Sequence, residues 1–86
     1  MPYTVILRPP AQKSLDKIPR NIRRHILDAL EELIDDPRPP GCVKLKGEDN
    51  LWRIRVGDYR IVYTIEDKKL IVLVVRVAHR KDVYRG

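Results

Sequence analysis

The sequence predicts an α+β domain, β-α-α-β-β-β, with an antiparallel sheet and a helix pair on one face. Three observations carry this. Apolar residues recur at helical spacing only between Ala11 and Ile34. Alternating or wholly apolar runs typical of strands lie on either side of that stretch. Proline and glycine clusters separate the two kinds of segment. At 86 residues there is room for one domain, 1–86, with a single core, and with 43% hydrophobic residues but no Phe that core is aliphatic.

The first strand is "YTVILR", Tyr3 to Arg8, β-branched and apolar, ended by Pro9-Pro10. Ala11, Leu15 and Ile18 then mark a short helix stopped by Pro19. The second helix carries one apolar stripe, Ile22, Ile26, Ala29, Leu30, Leu33 and Ile34, and "DDPRPPG" ends it. The short break at Pro19 predicts that the two helices fold back as an antiparallel pair. Arg20, Arg23 and Arg24 come early in the second helix, and Glu31, Glu32, Asp35 and Asp36 late. That order opposes the helix macrodipole. Either the charges are simply solvated, or the basic end serves an external phosphate.

"CVKLKG" follows, with Lys44 and Lys46 alternating with Val43 and Leu45. Next comes "NLWRIRVGDYRIVY", in which Gly57-Asp58 is the two-residue pair of a tight hairpin. With Val56 and Tyr59 flanking the turn, counting places Arg55 opposite Arg60, Ile54 opposite Ile61, Arg53 opposite Val62 and Trp52 opposite Tyr63. Side chains alternate faces along a strand. Trp52, Ile54, Val56, Tyr59, Ile61 and Tyr63 therefore form a core face, and Arg53, Arg55 and Arg60 share the other. Like charges directly across a ladder are destabilising, so an anion from outside the chain is expected to compensate them.

The turn "EDKK" leads into "LIVLVVRVA", apolar on both faces from Leu70 to Val75 and so expected in the interior of the sheet. A turn of Asp67-Lys68, or of Glu66 to Lys69, sets Arg60 opposite Val75. His79 then falls on the face of Arg53, Arg55 and Arg60, with Arg80 just beyond. Lys44 and Lys46 are expected to extend this patch if their segment joins the same sheet. Lys81 and Tyr84 follow in the tail.

Composition narrows the chemistry. There are 18 Lys+Arg against 12 Asp+Glu, a formal +6, which favours phosphate-rich or acidic partners. No apolar run is long enough for a bilayer and no signal-peptide pattern opens the chain, so the expected location is the cytoplasm. The single cysteine, Cys42, excludes an internal disulfide. The sequence has neither paired carboxylates, an HxH pair nor a glycine-rich phosphate loop, and His25 sits mid-helix among arginines. No metal or other cofactor is therefore expected. What remains is metal-free chemistry on RNA, whose 2′-OH can attack the adjacent phosphorus while fixed guanidinium groups stabilise the added charge. The competing reading is a basic binding patch without catalysis.

The run "KLKG…WRIRVGDYRIVY…VLVVRVAHRKDVYR" resembles the RelE family of bacterial toxins, within the RelE/ParE superfamily, and the match spans essentially the whole chain. The resemblance implies a β-α-α-β-β-β fold with a basic concave face. It also implies a toxin that enters the ribosomal A site and cuts mRNA there, held inactive by a small acidic, RelB-like antitoxin. It places Arg60 at the arginine of "YRIVY" that contacts the scissile phosphate. Arg80 falls at the arginine with transition-state or leaving-group duty, and Tyr84 at the tyrosine that stacks on or orients the substrate. Arg53 and Arg55 stand where well-studied members carry lysines, one of them proposed as general base, and Ala78 where glycine is common. Arginine keeps its proton near neutrality. His79, whose reference pKa of ~6.5 suits a base, is therefore the expected replacement. Two other classes compete: a ParE-like toxin acting on DNA gyrase, which would induce DNA damage, and an inactive module that binds only RNA or antitoxin.

Overall fold

The computed structural model describes residues 2–47 and 50–83. In chain order these form β1 (Thr4–Leu7), α1 (Pro9–Asp16), α2 (Arg20–Asp35), β2 (Val43–Lys44), β3 (Trp52–Val56), β4 (Tyr59–Glu66), β5 (Ile71–His79) and α3 (Arg80–Val83).

Pro9 and Pro10 open α1, where a missing N–H costs no helical hydrogen bond. Ala11 and Leu15 are its buried residues, and Ile26, Leu30 and Leu33 are those of α2. Both helices lie on one face of the sheet, α1 against β5 and α2 against β1 and β3. From the sheet, Ile54, Ile61, Tyr63, Ile65, Val72, Val74 and Val77 complete the core beneath them. Truncating Ile26 or Leu33, both 0% exposed, to alanine would cost about 2–5 kcal/mol, because such a site cannot fully collapse.

The α+β class stands, and the sheet is mixed. Its order is β1-β5-β4-β3-β2, antiparallel from β2 to β5, with β1 added parallel to β5. Helices separate β1 from the hairpins, so no tight turn dictates its direction. The N–H of Tyr3 donates to Ile34 O at 2.7 Å, tying the start of β1 to the end of α2. As expected from its apolar faces, β5 runs inside the sheet over Ile71 to Val74, between β1 and β4.

The β3–β4 register is the one counted from the Gly57-Asp58 turn, from Trp52↔Tyr63 to Val56↔Tyr59. Gly57 sits at φ +58°, in the left-handed region that glycine enters without strain. The β4–β5 register departs from expectation. Glu66 pairs with Ile71, so the loop is Asp67 to Leu70, two residues longer than a tight turn. Leu70 takes a positive φ of 55° to close it. A β-bulge then inserts Val75: Tyr63 pairs with Val74, whereas Val62 pairs with Arg76. Two residues from the loop and one from the bulge move the partner of Arg60 from the expected Val75 to Ala78. An odd slip exchanges faces, so every residue of β5 beyond the bulge changes sides relative to expectation.

Candidate functional site

The face of the sheet opposite α1 and α2 carries the arginines. Paired residues share a face, so Arg53, Val62 and Arg76 form one row across β3, β4 and β5. Arg55, Arg60 and Ala78 form the next. Arg60 is therefore the centre of the cluster, with Arg55 beside it and Arg53 and Arg76 on the diagonals. It is also enclosed. Its residue is 5% exposed, the one buried charged residue among those described, and its Nε and Nη1 are shut off from solvent. Its ladder partner on β5 is the small Ala78, and α3 packs against β4 and β5. A positive charge removed from water is costly unless it meets an electrostatic partner.

The hairpin turn organises the neighbouring cations. Arg55 Nε donates to Gly57 O at 3.1 Å. The N–H of Arg80 donates to Asp58 O at 2.7 Å, and its Nε lies 4.0 Å from Asp58 Oδ1. Asp58 thus pins the start of α3 to the β3–β4 turn, while about half of the Arg80 side chain stays in solvent. Sequence reasoning treated Asp58 only as a turn residue. Its second role depends on where β5 ends, which no local pattern marks.

Several expected members lie elsewhere. His79 pairs with Tyr59, not with the arginine rows, and is on the helix side of the sheet. The bulge at Val75 is the cause. Its ring meets Tyr59 edge to face, 5.3 Å between centroids at 85°. It borders a groove of about 630 Å³ with Ile22, His25 and Glu32 of α2. Its Nδ1 accepts the Lys81 N–H at 3.3 Å, so in the neutral ring the proton sits on Nε2. Lys44 pairs with Trp52 and holds its ammonium 5.9 Å from the centre of that ring, again on the helix side. Lys46 is exposed in the turn after β2, outside the ladder, and Lys81 is exposed in the first turn of α3. Tyr84 lies outside the described residues. On α2, Arg20 and Arg24 are exposed, and Arg23 Nη1 donates to Asp16 O at 3.3 Å.

Arg76 is the cation that sequence reasoning left out. It sits in a run of valines where strict alternation gives the opposite face, and no signal in the sequence marks the bulge.

Among the described residues, no group of three His, Cys, Asp or Glu side chains could hold a metal ion. No helix among them is long and apolar enough to cross a membrane.

Comparison with known proteins agrees with this geometry. The family model described as the ParE toxin of type II toxin-antitoxin systems, parDE, matches residues 5–84. Toxin RelG of Mycobacterium tuberculosis is 34% identical over 86 residues, covering 99% of each chain. The mRNA interferase toxin RelE of Escherichia coli K12 is 31% identical over 78 residues, 86% of this chain and 81% of its own. The RelE–RelB complex of the archaeon Pyrococcus horikoshii contains a chain that superposes with a TM-score of 0.83 at 28% identity, covering 93% of this chain and 97% of that one. The chain belongs to the RelE family of toxins of type II toxin–antitoxin systems.

Proposed function

We propose that the protein is a ribosome-dependent mRNA endoribonuclease, acting in the cytoplasm at the ribosomal A site and inhibiting translation. The observation that carries this reading is the enclosed Arg60, with Arg53 and Arg55 on the same face and Arg80 held at the adjoining turn. The E. coli relative named as an mRNA interferase supports the substrate class.

In the proposed reaction the 2′-oxygen of one nucleotide bonds to the adjacent phosphorus as the bond to the 5′-oxygen breaks. A 2′,3′-cyclic phosphate and a free 5′-hydroxyl result, the 2′-OH proton passing to a base and the 5′-oxygen gaining one from an acid. Arg60 meets the scissile phosphate, where a fixed guanidinium in a dry site gains most from the charge of the transition state. Arg80, half in solvent, is placed to stabilise the leaving oxygen. Tyr84 orients a base, and Lys46 and Lys81 add long-range attraction for RNA. No step requires a metal or cofactor. The arginine rows offer no carboxylate, imidazole or amine to take a proton, so in this reading the 2′-OH proton leaves to water or to ribosomal RNA. In this reading His79, on the helix side of the sheet, takes no part in the proton transfer.

An acidic, RelB-like antitoxin is the proposed partner, since a +6 domain attracts an acidic, partly disordered chain. The P. horikoshii neighbour was solved as a RelE–RelB complex. The description of the matching family model favours a second reading, a ParE-type action on DNA gyrase. One experiment separates the two. The toxin is induced without its antitoxin, and mRNA 5′ ends are mapped in cells and in a purified translation system with and without ribosomes. New ends that require ribosomes support the proposal. A DNA-damage response without new ends overturns it.

A further inference from the structure

Val74 and Arg76 are two residues apart in β5 and would share a face in a regular strand. They do not. Val74 is 0% exposed in the core, opposite Tyr63, whereas Arg76 is exposed on the other face, opposite Val62. The inserted Val75 accounts for the difference. Bulges commonly re-aim a side chain next to a functional site, and this one adds a cation to a face already bearing Arg53, Arg55 and Arg60.

The position is specific. Arg53 and Arg76 stand at opposite ends of one row, two strand spacings or about 10 Å apart. Val62, 8% exposed, lies between them as a closed apolar floor. Arg60 is in the next row and diagonal to both, at the ~7–8 Å typical of diagonal neighbours. A polyanionic strand whose central phosphate meets Arg60 therefore passes Arg53 on the β3 side and Arg76 on the β5 side. The planar guanidinium fork matches a phosphate's paired oxygens.

We propose that Arg76 is a substrate-binding residue that holds an RNA backbone phosphate flanking the scissile one, and that the β-bulge at Val75 exists in the active fold to present it. This rests on the endoribonuclease reading above. Arg76 binds without taking part in bond making, so its removal affects affinity before rate.

Single-turnover cleavage of a defined mRNA on stalled ribosomes tests this, with wild type, Arg76→Ala, Arg76→Lys and Arg60→Ala compared from 50 to 300 mM salt. Arg76→Ala is expected to raise the half-saturating concentration about tenfold, the loss of one charge-assisted contact. Its maximal rate should stay within a few-fold of wild type. The slope of log affinity against log salt should fall by about one phosphate's share, ~0.7 for a single strand. Arg76→Lys should recover the slope and most of the affinity. Unchanged thermal unfolding midpoints would exclude a folding effect. If wild type cleaves and Arg60→Ala does not, yet Arg76→Ala keeps wild-type affinity and slope, this inference falls while the endoribonuclease reading survives. If wild type itself does not cleave, that underlying reading falls. Weakened binding of poly-glutamate with unchanged RNA affinity would overturn the inference in favour of a protein-facing role.

Discussion

At the Trp52 end of the sheet, Arg38 is held between Asp67 and the Trp52 ring. It donates from Nη1 to Asp67 Oδ1 at 3.2 Å and from Nη2 to Asp67 Oδ2 at 2.9 Å. Its guanidinium carbon lies 5.0 Å from the centre of the Trp52 ring, and the Tyr3 hydroxyl donates to the same carboxylate at 2.7 Å. Nearby, the buried Tyr63 hydroxyl donates to Pro37 O at 2.8 Å, and burial pushes its phenol well above the ordinary tyrosine range. At the hairpin-tip end, by contrast, Arg55 faces Arg60 across the ladder, with Arg53 and Arg76 on the diagonals. The first arrangement joins the "DDPRPPG" loop to β1 and the β4–β5 loop, and costs little because unlike charges meet. The second places like charges together, which is destabilising in itself and which the proposed binding of an RNA phosphate would offset. Paired charge marks the arginine that builds the fold, and clustered like charge marks those proposed to serve function.

The sharpest test of that contrast is Arg60→Ala. It should lower ribosome-dependent cleavage about 10²–10³-fold, the usual loss for a preorganised donor at a transition state, and abolish growth arrest. Arg60→Lys should recover only part, because an ammonium lacks the bidentate fork. Full toxicity of Arg60→Ala at matched expression would dissolve the comparison.

Arg38→Ala should do the reverse. Loss of its packing and cation–π contact with Trp52 is worth about 1 kcal/mol of stability, read by urea unfolding, with the cleavage rate unchanged. A variant that folds normally but cleaves poorly would place Arg38 in the site.

A smaller effect is expected at His79. Because it lies against Tyr59 on the helix side, His79→Gln should cleave within a few-fold of wild type from pH 5.5 to 8.5, the range in which histidine titrates. A loss of orders of magnitude, or the disappearance of a pH step present in wild type, would show that the ring reaches the substrate.

The smallest effect concerns Asp67. Hydrogen bonds from Arg38, and then from Tyr3, hold its carboxyl below the ordinary value of 3.8. A depressed carboxylate pKa stabilises the fold above the unfolded value, and that contribution is lost as pH falls through the folded one. The gap in thermal midpoint between wild type and Asp67→Asn should be small and constant from pH 7 down to about 4, and should close below that. A gap that widens with acid would mean Asp67 is not held as an anion.

The sequence alone determined much of this molecule. The helix pair follows from apolar spacing, and the β3–β4 pairing follows from Gly57-Asp58, because a two-residue turn leaves no freedom of register. Arg53, Arg55 and Arg60 were legible as one face for the same reason. Three features were decided only in three dimensions. The direction of β1 was open, since two helices and three strands, rather than a tight turn, separate it from its partner β5. The side taken by His79 and Arg76 hinged on the bulge at Val75, which nothing signals in a run of valines that suits either face; the two extra residues of the Asp67 to Leu70 loop shift the register without exchanging faces. With a side-chain period of two, one extra residue exchanges the faces. Ala78, rather than the expected Val75, pairs with the enclosed Arg60 as the product of the loop and the bulge together. Local pattern sets pairing where the connection is short. Across a longer loop, packing of the valines against the helices chooses the register, and with it which cations meet.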